Sequence, residues 1–362
     1  MKDPIALPVA EVVARLQEFN AVVDARSPAE FADDHLPGAL SAPVLDDEER
    51  ARVGTVHARI GGFEAKRLGA ALVSRNIAAH LERLFAERDR NWRPLVYCWR
   101  GGNRSGALGT VMARIGWRTA VLEGGYKAFR RHVIEALATR PAQFGFLVVG
   151  GRTGTAKSRL LAQLADRGEQ VLDLEALACH RGSVLGAWPD RPQPSQRRFE
   201  TRLWQQLQAF DPRRPVFVES ESRKVGALEV PETLIRTMRA SPVARVEADL
   251  AVRSGFLLTE YAHLREDTAR LLGLLDKLTA LHGASRVEQW KRLLQADRWP
   301  EFVECLLKDH YDPSYDRSMR RNFERLDASV AVALDDTDAV GLARAADSLQ
   351  TLARTVRLPA VC

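Results

Sequence analysis

The chain has 362 residues, with 53 Lys plus Arg against 47 Asp plus Glu, a formal net charge of +6 and a pI near 9.3. That length exceeds a single ordinary core and predicts two domains, and the mild basic excess suits a polyanionic or phosphorylated partner as well as it suits plain solubility. The four cysteines, Cys98, Cys179, Cys305 and Cys362, form no C-x-x-C pair, which argues against a zinc site and a disulfide framework. No run approaches the roughly 18 apolar residues that span a bilayer, and the first residues lack a cationic-then-apolar leader, so the expectation is a cytoplasmic protein with no membrane part.

In chain order, residues 9–19 read as a short helix with Val12, Val13, Leu16 and Phe19 on one face. Residues 21–24 read as a buried strand ending on Asp24. Ser27, Pro28 and Glu30 supply an N-cap, a first-turn proline and a capping box. His35 to Ala39 turns into another short strand, and residues 48–90 are helix-rich with a break near Gly61-Gly62-Phe63. Then an apolar strand, Leu95-Val96-Tyr97, ends on Cys98. Arg100, Gly101, Gly102, Asn103 and Arg104 follow, and a helical pattern starts at Ser105. A thiol there faces loop amides and the positive end of a helix, which favours the thiolate below its free pKa of roughly 8.5. Arg104 reads as an anion clamp. The plainer alternative is a small packed cysteine before a tight turn. Residues 119–122 form a further strand, and residues 123–126 turn into a helix carrying Phe129 and Val133. Short strands alternating with helices predict an α/β fold with a parallel sheet covered on both faces, its ligand beyond the carboxyl ends of the strands.

Arg140-Pro141 reads as a linker. Residues 144–149 form an apolar strand, followed by Gly151, Thr153, Gly154, Thr155, Lys157 and Ser158 in the P-loop arrangement. The loop amides would cradle phosphate oxygens, Lys157 would neutralise them, and Ser158 could ligate Mg²⁺. Ala156 stands where the usual pattern has glycine, at a cost of about 1 kcal/mol if positive φ is needed, which weakens the case for tight nucleoside triphosphate binding. After a strand at 170–174, His180, Arg181 and Ser183 could meet the ligand or form a solvated loop, and Cys179 reads as a packing residue. Residues 196–210 form an amphipathic helix whose polar face carries Arg197, Arg198 and Arg202. A strand within 215–223 ends in acid. Glu219 or Glu221 could hold Mg²⁺ or act as a base, or could pair with Arg223 or Lys224. A strand at 244–248 precedes a helical region at about 252–326, in which Leu257, Leu258, Tyr261 and Leu264 read as core. Within it, Tyr315, Arg317, Arg320 and Arg321 interleave ring and guanidinium groups. They suit stacking on unpaired RNA bases as well as a solvated helix start. A last strand at 329–334 leads to a closing helix.

Asp24-Ala25-Arg26-Ser27, His35-Leu36-Pro37-Gly38-Ala39, the Cys98 loop and Leu122-Glu123-Gly124-Gly125-Tyr126 resemble the successive signatures of rhodanese-type chalcogen transferases, over about residues 8–138. The Cys98-to-Arg104 spacing is one residue longer than in ordinary rhodaneses. It resembles the C-x5-R cradle of dual-specificity phosphatases, which accepts a tetrahedral anion such as selenophosphate. Together with Gly151 to Ser158, His180-Arg181-Gly182-Ser183 and Val218 to Gly226, these motifs resemble the tRNA 2-selenouridine synthase family. The resemblance implies a rhodanese-like parallel-sheet domain at 1–140 and a P-loop NTPase-like α/β domain with its helical region at 141–362. It implies conversion of 2-thiouridine at the tRNA wobble position to 2-selenouridine through S-geranyl-2-thiouridine, with geranyl diphosphate and selenophosphate as co-substrates and the tRNA anticodon loop as partner. On that expectation the P-loop holds the prenyl diphosphate. Cys98 carries selenium as a selenosulfide, while Arg104 and the loop amides hold the donor phosphate. The rival readings are an ATP-dependent persulfide-type tRNA sulfurtransferase, a C-x5-R phosphatase, against which Tyr97 in place of His counts, and a non-catalytic tRNA-binding module.

Overall fold

The computed structural model describes residues 3–183, 186–188 and 191–355; Cys362 lies outside them. The chain divides into two compact units, Met1–Leu137 with Pro194–Gln205, and Ala138–Gln193 with Gln206–Cys362. Residues 194–205, which carry Arg197 and Arg198, therefore group with the first unit although they follow the P-loop in sequence.

The first unit is built on strands β1 (Ile5–Leu7), β2 (Ala21–Asp24), β3 (Ala39–Ser41), β4 (Pro94–Tyr97) and β5 (Ala120–Leu122). They form one sheet in the order β1-β5-β4-β2-β3, and every pairing is parallel. The apolar run of β4 takes the centre because it is buried along its whole length. The Ser27 cap forms as read, with the Ser27 N–H donating to Glu30 Oε2 at 3.1 Å. The helix-rich stretch resolves into Asp47–Arg59 and Gly62–Arg83, broken at Gly61 with φ +145°. The expected helix at 9–19 stops at Ala14 and passes into a 3-10 turn, Leu16–Glu18. Strand β1, three residues long, gave no alternation to read; it pairs as an edge on β5.

The second unit holds β6 (Phe146–Gly151), β7 (Gln170–Leu172), β8 (Val216–Glu219), β9 (Lys224–Val225), β10 (Leu228–Glu229), β11 (Val243–Glu247) and β12 (Val330–Ala333). Its main sheet runs β12-β11-β6-β8-β7, all parallel, while β9 and β10 form a small antiparallel hairpin. The central β6 is fully buried and feeds the helix Lys157–Asp166, whose Leu160, Leu161 and Leu164 pack with Phe217, Val246 and Leu349. The helical region gathers around Leu271, Leu275, Trp290 and Phe302. Among the described residues, no helix is long and apolar enough to cross a membrane.

Candidate active site

Cys98 follows β4 and precedes the helix Asn103–Ile115. Successive strand residues face opposite ways. Tyr97 points into a buried network, its hydroxyl donating to Asp24 Oδ2 at 2.6 Å, while Cys98, 3% exposed, lines a cavity of about 630 Å³. The carbonyls of Cys98 and Trp99 accept hydrogen bonds from the N–H groups of Tyr126, at 2.7 Å, and Lys127, at 3.0 Å. With those carbonyls turned toward the next helix, the loop amides are left for the sulfur. Gly101 makes the turn at φ +67°, where a side chain would stand 2.6 Å from the Leu122 carbonyl. Burial pushes the thiol pKa up. The Ser105 hydroxyl, at 3.1 Å from Sγ, and the amides of Ser105, Arg100 and Gly102 outweigh it, so Cys98 is held below the ordinary thiol value.

Arg100, Gly102, Asn103 and Arg104 line the same cavity, opposite apolar walls from Leu45, Val53, Ala65, Ala70 and Val73. Arg104 is not folded over the loop as a free clamp. Its guanidinium pairs with Glu30 Oε2 at 2.7 Å, so the capping-box acid also tethers the candidate anion ligand. Sequence reading identified Glu30 as a cap but had no signal for this long-range partner.

In the second unit, Ala156 has φ +49°, the left-handed conformation that its place in the loop demands. Lys157 Nζ donates to the Gly151 carbonyl at 2.8 Å, which folds the lysine back across the loop. The helix Asp312–Asn322 grips the loop at three points. Asp312 takes a two-pronged pair from buried Arg253, at 2.7 and 2.8 Å, and Arg253 also donates to the Thr153 carbonyl at 3.1 Å. The Tyr315 hydroxyl accepts the Gly151 N–H at 2.5 Å. Asp316 pairs with Arg152 at 2.6 Å. Tyr315, expected as an RNA contact, is thus a phosphate-loop residue, while Arg317, Arg320 and Arg321 on the same helix are exposed. Arg197 and Arg198, also expected at RNA, are tied within the first unit, to Asp33 at 2.9 Å and to the His35 carbonyl at 3.1 Å.

Lys157, Ser158, Arg181 and Ser183 border one groove with Asp173, Glu175 and Glu219. His180 does not line it; it is 8% exposed, its Nδ1 accepts the Gly182 N–H, and burial lowers its pKa. Arg181 lies over Trp188 at 3.9 Å and Tyr261 at 4.5 Å. Carboxylate oxygens of Glu175, Glu219 and Glu221 lie within 4.8 Å of one another, and Ser158 donates to Glu175 Oε2 at 3.0 Å. Buried Glu219 Oε2 has no hydrogen-bond partner. Arg223 and Lys224 pair elsewhere, with Glu232 at 4.0 Å and Glu229 at 3.6 Å, so the salt-bridge alternative for the strand-end acids fails. Burial raises the pKa of Asp173, Glu175 and Glu219; neighbouring carboxylates add to the rise at Glu175 and Glu219, while at Asp173 the hydrogen bond with Glu219 opposes it. Glu221 is pushed up to about 7, by burial first and Glu175 next. An orphaned carboxylate oxygen among like charges, beside a P-loop serine, fits a hard divalent cation. Glu175, Glu219, Glu221 and Ser158 would hold Mg²⁺, which supplies charge neutralisation to a bound phosphate. Sequence reading missed Glu175, which lies in the first turn of the helix Leu174–Ala178.

Taken together, the fold is a rhodanese-like unit with an amide-facing cysteine and a P-loop unit built on a parallel sheet. Residues 8–132 match the rhodanese-like domain, and residues 144–281 match the tRNA 2-selenouridine synthase AAA domain. The chain belongs to the tRNA 2-selenouridine synthase family, a family of tRNA-modifying enzymes. It is 35% identical over 327 residues to the tRNA 2-selenouridine synthase of Marinobacter nauticus, covering 82% of this chain and 87% of that one. It is 35% identical over 265 residues to the enzyme so named in Nitrosomonas europaea, covering 72% and 68%. With that of Hydrogenovibrio crunogenus the identity is 31% over 337 residues, covering 85% and 91%.

Proposed function

We propose that this protein converts 2-thiouridine in tRNA to 2-selenouridine in two steps, in the cytoplasm. The P-loop binds the diphosphate of geranyl diphosphate. The thiouridine sulfur attacks the allylic carbon, the C–O bond breaks, diphosphate leaves with the electron pair, and the base loses its N3 proton. Lys157 and the loop amides stabilise the departing charge. Alkylation makes the sulfur a leaving group, so selenium can bond to C2 while the geranyl thiolate departs.

The Cys98 thiolate attacks the phosphorus of selenophosphate, the P–Se bond breaks, and selenide leaves with the electron pair to attack C2. Water then hydrolyses the S-phosphocysteine to phosphate and free thiol, with Arg104 and the amides of Arg100 and Gly102 holding the phosphoryl group. The selenosulfide expected from the resemblance would need a two-electron oxidant, because selenophosphate holds selenium at the selenide level. The observation that carries this reading is the sulfur of Cys98, held below its ordinary pKa by aimed amides and the Ser105 hydroxyl at the edge of a cavity. Such a thiolate is a competent nucleophile toward the phosphorus of selenophosphate. Exposed Arg317, Arg320 and Arg321 are the proposed contacts for the anticodon loop.

The test is mass spectrometry of nucleosides from 2-thiouridine tRNA incubated with the protein, geranyl diphosphate and selenophosphate. The S-geranyl nucleoside should rise first and the 2-selenouridine follow. Product formation that needs ATP and ignores geranyl diphosphate would instead support the sulfurtransferase-like reading, which the acid cluster at the P-loop also suits.

A further inference from the structure

The groove over Lys157 does not end at the phosphate loop. Thr153, Ser183, Leu257 and Tyr261 line both that groove and a second cavity that runs into the helical region. The second cavity is walled by Leu264, Trp299, Phe302 and Leu306, none more than 7% exposed. Its polar groups are few, and the phenols of Tyr261 and Tyr311 hydrogen-bond Ser183 near the mouth. The cavity measures about 60 Å³. That is room for about four to six waters, or roughly one isoprene unit of chain.

A phosphate cradle opening into a narrow hydrocarbon pocket suits an amphiphile with an anionic head and an apolar tail. It suits a nucleoside triphosphate poorly. A base buried there would leave ring donors and acceptors unpaired, each at the cost of its lost hydration. A hydrocarbon chain gains free energy in proportion to the apolar area it buries.

We propose that this cavity holds the distal isoprene unit of an allylic isoprenoid diphosphate, and that Leu264, Trp299, Phe302 and Leu306 set the chain length the protein accepts. The inference rests on the reading that the P-loop takes the prenyl donor. The diphosphate lies on the loop at Lys157 and Ser158, the chain passes Leu257 and Tyr261, and its far end enters the helical region. These leucines and aromatics are therefore more than the core positions their spacing suggests.

Calorimetric titration of the full chain with inorganic diphosphate, dimethylallyl, geranyl and farnesyl diphosphates, and ATP tests it. Geranyl diphosphate should bind at least about tenfold tighter than inorganic diphosphate or the dimethylallyl ester. Phe302→Ala should shift the preference toward the farnesyl ester. Val303→Trp, at a half-buried position that lines the second cavity but not the phosphate groove, should remove the advantage of geranyl while leaving inorganic diphosphate binding unchanged, which guards against a Phe302→Ala variant that fails to fold. Inorganic and geranyl diphosphates binding equally well to the unaltered chain would overturn the inference alone. Tight ATP binding with no diphosphate ester bound would overturn it together with the reading beneath it.

Discussion

The Ser105 hydroxyl donates to the Cys98 sulfur at 3.1 Å, from the first turn of the helix that the cysteine loop feeds. Among the described residues it is the one side chain that hydrogen-bonds the thiol directly, and Ser105 is fully buried. Ser105→Ala removes a charge-assisted bond worth about 1.5–3 kcal/mol and raises the thiol pKa toward its ordinary value. Alkylation of Cys98 by iodoacetamide at pH 7 should slow about tenfold, with the rate recovering as pH rises. An unchanged pH profile would mean that the backbone amides alone set the thiolate.

Tyr315 occupies an amide that a phosphate would need. Its hydroxyl takes the Gly151 N–H, while its ring lies 5.9 Å from Lys157 Nζ. Tyr315→Phe keeps the ring and frees the amide. Inorganic diphosphate should then bind about fivefold tighter, since one hydrogen bond of about 1 kcal/mol no longer competes. Weaker binding would show that the phenol contacts the anion instead of blocking it.

Glu221, pushed up to about 7, gives the second unit a pH dependence of definite sign. The folded state binds more protons than the unfolded state between the ordinary glutamate value and about 7, so without metal, stability falls as pH rises through that window. Mg²⁺ requires the ionised carboxylates, so its binding should tighten from pH 6 to pH 8 and release protons. Titration calorimetry in buffers of different ionisation enthalpy reads both. Affinity flat across that range would remove the acid cluster as the metal site.

Ala156 at φ +49° carries a left-handed cost of about 1–2 kcal/mol, against which a glycine would lose about 0.4–1 kcal/mol through unfolded-chain entropy. Ala156→Gly should therefore stabilise the second unit by about 0.5–1 kcal/mol in urea unfolding. Destabilisation would mean that the Ala156 methyl, 4% exposed, contributes more packing than the backbone loses.

Local pattern carried the two loops. Cys98 with its glycines, Gly151 to Ser158, the Ser27–Glu30 cap and the acid at the end of β8 could all be read because their spacing is short and their chemistry local. What could not be read was pairing across long stretches of chain. Glu30 meets Arg104, Arg253 meets Asp312, and Gly151 meets Tyr315. A helical face that packs and one that lines a ligand cavity share the same periodicity, so Leu264 and Phe302 gave no separate signal. The grouping of residues 194–205 with the first unit is likewise invisible to composition.

The central claim is that two separate sites act on one base in turn, and the nucleoside products of Cys98→Ser test it most directly. On 2-thiouridine tRNA with geranyl diphosphate and selenophosphate, this variant should accumulate S-geranyl-2-thiouridine at the rate of the unaltered protein and form no 2-selenouridine. Loss of geranylation together with selenation in that variant would contradict the division of labour.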